Sequence, residues 1–211
     1  MWDLGLNWVP VFDSNVTFCK AYKLQKGGIM GWRNLERTCL LDCGFFSVFQ
    51  VLRQRENQPP APFYLLDAPD WAGVIPVVTT ERGRSLVMVR QFRHGLAKRC
   101  IEFPGGIISP GEDPVKAITR ELLEETGYMP ELVVPIGSLS PNPAFMTNSF
   151  HAFIAEDCKK VAEPRLDEHE DIEVVLVPEE EAINLVGGED MGHALMVAAL
   201  FLYYRYMGKC M

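Results

Sequence analysis

Residues 106–128 constrain this chain more than any other stretch. They read Gly-Ile-Ile-Ser-Pro-Gly-Glu-Asp-Pro-Val-Lys-Ala-Ile-Thr-Arg-Glu-Leu-Leu-Glu-Glu-Thr-Gly-Tyr: a glycine-rich loop, a helix start, a charged helix and a glycine stop. Pro114 just inside an acidic opening (Glu112, Asp113) predicts the helix start, and Gly127 its end. At ~100° per residue, Val115, Ile118 and Leu122 fall within about 60° and are expected to face the core. Glu121, Glu124 and Glu125 fill an adjoining arc of ~100°, at i, i+3 and i+4. A run of glutamates is ordinarily a solvated face. Here the carboxylates lie near the negative pole of the helix, where a bound cation would relieve them. The preceding Gly105-Gly106 pair can add a backbone carbonyl, completing a set of hard oxygen donors suited to Mg²⁺ or Mn²⁺.

The spacing Gly106, five residues, Glu112, seven residues, Arg120-Glu121-Leu122, one residue, Glu124-Glu125, one residue, Gly127 resembles the complete Nudix box. Tyr128 is the one soft departure, at a position that is more often aliphatic in that family. The resemblance implies an α/β Nudix fold, a mixed β-sheet sandwiched between helices. It also implies cleavage of a nucleoside diphosphate linked to some other moiety.

Composition agrees with a folded soluble enzyme: 48% hydrophobic and 23% charged residues argue against disorder. The net charge of −8 gives no electrostatic footprint for nucleic acid or an anionic membrane, so a polyanionic substrate needs local arginines and metal. Six cysteines (Cys19, Cys39, Cys43, Cys100, Cys158, Cys210) are scattered without a zinc-like double pair and read as thiols of a reducing compartment. The N-terminus has no early cation ahead of an apolar run, and residues 194–204, the longest apolar run, fall short of the ~20 needed to span a bilayer. The expected setting is cytoplasmic.

The chain is expected to divide at 68/69, into an N-terminal extension with a β subdomain (1–68) and the Nudix domain (69–211). Residues 1–31, with Trp2, Trp8, Phe12 and Lys26-Gly27-Gly28, fit neither period, and Met30 is an alternative start. From 36 to 67 the pattern is β, with runs at 45–52 and 63–66 separated by a loop at 53–62 containing Pro59-Pro60. By resemblance, such a subdomain helps build a homodimer and one wall of the nucleotide site. Two apolar strands, 71–79 and 84–92, are joined at Glu81-Arg82-Gly83. The second ends Arg90-Gln91-Phe92-Arg93-His94, shortly before Glu102-Phe103-Pro104-Gly105-Gly106. This resembles the ADP-ribose pyrophosphatase branch, with Pro-Gly-Gly where that branch often has Pro-Ala-Gly. There Arg93 is expected to meet a phosphate, for which forked donors suit bidentate contact, with Arg90 near the site mouth.

After the box, a strand at 131–139 leads into a turn-rich loop, 140–148. Pro143, 15 positions after Tyr128, is similar to the marker of ADP-ribose hydrolases, and Phe145 is the nearest aromatic. Asn148 stands where those enzymes commonly carry an acidic residue. Strands are expected at 149–155 and 172–177, a helix from Pro178 to about 186, and a last helix over 190–207. Between them, Asp167-Glu168-His169-Glu170-Asp171 is an acidic loop. The resemblance assigns the catalytic base to Glu168, with Glu170 second and His169 a weaker candidate.

The reading is therefore metal-assisted hydrolysis of ADP-ribose or a similar nucleoside diphosphate sugar to a nucleoside monophosphate and a sugar phosphate. Glu121, Glu124, Glu125 and the Gly106 carbonyl hold Mg²⁺ or Mn²⁺, Arg120 orients a carboxylate, Glu112 supports the loop–helix junction, and Arg93, Arg90, Pro143 and Phe145 meet the substrate. The rivals are a GDP-mannose-type hydrolase and a sensing module that binds a nucleotide sugar without cleaving it.

Overall fold

The computed structural model describes residues 28–29, 31–81 and 83–208. The readings at Trp2, Trp8, Phe12, Cys19, Lys26, Gly27, Met30, Arg82 and Cys210 lie outside them. Two compact units meet at Ala68 and Pro69.

The first unit is a four-stranded antiparallel meander: β1 (Gly28–Ile29), β2 (Trp32–Asp42), β3 (Ser47–Arg55) and β4 (Ala61–Asp67). β3 starts two residues later than its apolar run suggests, because Phe45 and Phe46 belong to the tight turn closed by Cys43 N–H donating to Phe46 O at 3.0 Å. It also runs on to Arg55, since Arg53 pairs with Ala61, which shortens the predicted 53–62 loop to residues 56–60. Arg37 stacks on Phe49 at 3.7 Å and binds Asp67 at 2.5 Å.

The second unit comprises β5 (Trp71–Thr80), β6 (Gly83–Arg93), β7 (Lys98–Glu102), β8 (Gly105–Ile107), α1 (Pro114–Thr126), β9 (Tyr128–Met129), β10 (Leu132–Leu139), β11 (Phe150–Glu156), β12 (Lys159–Lys160), β13 (Ile172–Pro178) and α2 (Ala194–Tyr206). The main sheet runs β10-β11-β5-β6-β13, with β7 beside β6 and β8 beside β5; β11 and β5 are parallel and the other pairs antiparallel, so the sheet is mixed. Strand alternation splits its side chains between two cores. Ile75, Val77, Leu86, Met88, Phe150, Ala152 and Ile154 pack with α2. Ala72, Val74, Val78, Val87, Phe153 and Ala155 pack with α1. This is the expected sheet between helices.

Two C-terminal expectations are corrected. Pro178 closes β13 instead of opening a helix: Glu179 is buried and held by Arg84 (3.0 Å) and the Tyr203 hydroxyl (2.9 Å), leaving only a 3-10 turn at Ala182–Leu185. α2 begins at Ala194, not 190, because residues 189 and 190 are held along β7, Asp190 O accepting from Ile101 N and Glu189 O from Lys98 Nζ. Among the described residues no helix is long and apolar enough to cross a membrane.

Candidate active site

The box folds as a strand and a helix that fix each other. Asp113 caps α1, its Oδ1 accepting from Val115 N (2.9 Å) and Lys116 N (3.2 Å), with Pro114 at N1. Gly127 ends the helix in the left-handed region at φ 74°, and an added Cβ would sit 2.0 Å from Ala162 O. The buried face is Ala117, Ile118, Leu122, Glu125 and Thr126. Val115, expected in the core, is exposed instead: it occupies the first turn at the edge of that arc, and Glu125 takes the centre.

The glycine-rich loop is itself β8, paired to β5 through Ala72–Gly106 and Gly73–Gly105. This pairing explains the glycines. A Cβ on Gly106 would lie 2.5 Å from the Glu121 carboxyl carbon, so only glycine lets the helix carboxylate lie against this backbone. Gly105 N donates to Glu125 Oε2 at 3.0 Å. Arg120 Nη1 donates to Glu121 Oε1 and Glu124 Oε2, both at 3.0 Å, and its Nη2 reaches Glu112 Oε1 at 3.5 Å. Glu112 Oε2 accepts from Ser109 N at 3.1 Å, at the loop–helix junction.

Burial raises the Glu125 carboxyl to about 8; the Gly105 N–H and Arg93 oppose this, while Glu121 and Glu170 push it further up. Burial also raises Glu121, against the charge and hydrogen bond of Arg120 and with the repulsion of Glu124 and Glu170. Crowded, partly desolvated carboxylates are the chemistry a hard divalent cation satisfies, so the residues fit one. The set is not preassembled: Arg120 engages Glu121 and Glu124, and among the described residues no three His, Cys, Asp or Glu side chains gather around one point.

Arg93 is fixed by a residue the sequence reading passed over. Glu102, on β7 and only 1% exposed, takes Arg93 Nε at 2.9 Å and Nη2 at 2.6 Å as a fork, and His193 Nδ1 at 3.1 Å. Burial would raise Glu102, but the His193 hydrogen bond and Arg93 outweigh it and hold the carboxyl at about 2. Position beside the Phe-Pro-Gly-Gly run was the available signal for Glu102; His193, 91 residues away, had none. Alternation along β6 puts Arg93 on the α1 face with Val87, and Arg90 on the other, where it meets its cross-strand partner Glu173 at 3.6 Å. His94 is exposed, its ring edge-on to Phe92.

The acidic loop is tied to the helix. Val161 N and Ala162 N donate to Gly127 O, and Arg165 N donates to Glu124 O at 2.7 Å, satisfying carbonyls at the end of α1. Its other end is held by the Arg99–Asp171 ion pair. Asp167 N donates to Glu170 Oε2 (2.9 Å) and Glu170 N to Asp167 O (3.0 Å), closing a turn that exposes Glu168 and His169. Glu170 is a loop carboxylate whose charge acts on Glu121 and Glu125. In the 140–148 loop, Asn142 receives Ala144 N, Phe145 N and Met146 N, which holds Pro143 in the turn and leaves Phe145 exposed. Asn148 is buried, donating to Pro69 O at 2.9 Å.

A family profile described as NUDIX domain matches residues 70–200. The chain is 34% identical over 129 residues to the ADP-ribose pyrophosphatase of Bacillus subtilis (strain 168), covering 61% of this chain and 70% of that protein. To the ADP-sugar pyrophosphatase of Mus musculus it is 30% identical over 143 residues, covering 64% of this chain and 65% of that protein. A solved structure described as an ADP compounds hydrolase superposes with a TM-score of 0.67 at 24% identity, covering 89% of this chain and 97% of that one, and shows the same fold.

Proposed function

The chain belongs to the Nudix family and is a pyrophosphohydrolase, and we propose that it hydrolyses the diphosphate of ADP-ribose, or of a closely similar nucleoside diphosphate sugar, to a nucleoside monophosphate and a sugar phosphate. The observation that carries this reading is the packing of Glu121 and Glu125 against the Gly105–Gly106 strand. Glu121, Glu124, Glu125 and the Gly106 carbonyl would hold Mg²⁺ or Mn²⁺. When bound, such an ion neutralises diphosphate charge and lowers the pKa of coordinated water.

The chain's own groups supply the rest. Arg93 presents the guanidinium end that Glu102 leaves uncommitted to a phosphate oxygen, and Pro143 and Phe145 line the approach. Arg90, expected near the site mouth, lies on the opposite face of β6 beside Glu173. Arg120 orients Glu121 and Glu124. A water attacks one phosphorus in line as the bond to the bridging oxygen breaks, and Glu168, exposed on the turn that Glu170 holds closed, accepts the water proton. The N-terminal unit pairs two copies into a homodimer, and the free, buried Cys39, Cys100 and Cys158 fit a reducing, cytoplasmic setting.

Assay of ADP-ribose, GDP-mannose, diadenosine polyphosphates, NADH and coenzyme A with each metal, with product identification, tests the reading. AMP and ribose 5-phosphate from ADP-ribose are expected. Preference for GDP-mannose would move it to that hydrolase group, and binding without turnover to a sensing module. Comparing Glu168→Gln with Glu170→Gln tests the base: loss of turnover confined to the second would transfer the role to Glu170. Sedimentation of the full chain tests the dimer.

A further inference from the structure

We infer that His193 is a positioning residue for diphosphate binding: from the start of α2 it locks Glu102, and through Glu102 it aims Arg93. The inference rests on the reading of Arg93 as a phosphate contact. Glu102 is sealed from solvent, so its orientation is set by its partners alone. Arg93 grips both oxygens, while His193 approaches only Oε2, from a different element. An ionised carboxylate can only accept, so Nδ1 of His193 carries the proton and donates.

His193 is itself rigidly mounted. Its carbonyl receives Met196 N (3.0 Å) and Val197 N (3.2 Å), Leu195 and Met196 are core residues, and Phe103 N donates to Met196 Sδ at 3.3 Å, tying α2 to the residue next to Glu102. The carboxylate is thus held between β7 and α2. A guanidinium held on one edge by a fixed carboxylate is pre-organised on the other, and 42% of the Arg93 side chain stays exposed for a ligand. Without His193, Glu102 keeps its charge pair with Arg93 but loses the fixed point that sets the plane of both groups.

The test measures kcat, KM and the Kd of a methylene-bridged ADP-ribose analogue for the full-length chain and its variants. H193A is expected to raise KM and Kd about tenfold with kcat changed less than about twofold. H193N, whose amide nitrogen stands where Nδ1 does, should restore both to within about twofold, whereas H193Q, whose nitrogen sits where Nε2 does, should not. Should H193A fail to fold, H193Q against H193N carries the same comparison. In an R93A background, H193A should add nothing. Unchanged KM and Kd in H193A or H193Q, a loss confined to kcat, or a full additional loss on top of R93A overturns the role of His193. If R93A alone leaves KM and Kd unchanged, the reading of Arg93 as a phosphate contact fails instead.

Discussion

Glu102 and Glu125 are both buried carboxylates on either side of the same glycine pair, yet one is held at about 2 and the other pushed to about 8. Burial acts on both in the same direction. The difference lies in the partners: Glu102 receives a bidentate guanidinium and an imidazole N–H, whereas Glu125 receives one backbone N–H and faces Glu121 and Glu170. A buried carboxylate supplied with cations is part of the framework. One left among its own kind is waiting for a positive charge from outside.

The same substitution should therefore do opposite things at the two positions. Glu125→Gln is expected to lower turnover by at least about 10²-fold under saturating metal while leaving the metal-free protein as stable as the parent, because the amide oxygen still accepts from Gly105 N; near-normal turnover would sink the metal assignment. Glu102→Gln should cost about 2 kcal/mol in denaturant unfolding, less than a fully buried pair because Arg93 is half-exposed and can be resolvated. An unfolding midpoint equal to the parent's would show that Arg93 and His193 do not depend on its charge.

The titrations sharpen the contrast. Glu125 has a folded value above the ordinary 4.5, so the folded state holds the extra proton, and metal-free stability should fall as pH rises from about 4.5 through 8. Glu102 has a depressed value, so its contribution is present above about 4.5 and is lost as pH falls towards 2. Thermal melts across that range should show both limbs, with Glu125→Gln or added Mg²⁺ flattening the alkaline one only. A smaller effect sets the baseline: Asp113, an exposed carboxylate with two helix N–H donors, should cost about 1 kcal/mol when changed to Ala, with turnover unaltered.

What could be read in advance follows the distance over which each feature is encoded. The limits of α1 are written locally in Pro114 and Gly127, and the Glu121, Glu124, Glu125 spacing fixes their common side. The strands β5, β6, β10, β11 and β13 were visible as apolar runs to within a residue or two. The identity of the buried face of α1 was not. Val115 is as apolar as Leu122, and only the β8 backbone, pressed close enough to exclude a side chain at 106, shows that Glu125 turns inward. Glu102 and His193 were missed for a related reason, since neither residue type signals a role until the fold joins positions 91 apart. The false helix at 178 looked locally sound and lost to a tertiary clamp, Glu179 with Arg84 and Tyr203.

The odd–even division of the main sheet also limits how this chain can vary in length. Because Ile75 and Val77 belong to the α2 core, and Val74 and Val78 to the α1 core, a single inserted or deleted residue within β5 would exchange the two sets beyond that point and turn apolar side chains towards the wrong helix. The same applies to β6 and β11. Length changes should be tolerated in the connection 56–60 and rejected in the central strands, so a family of insertion variants screened for soluble expression would trace the sheet's boundaries without any structure determination.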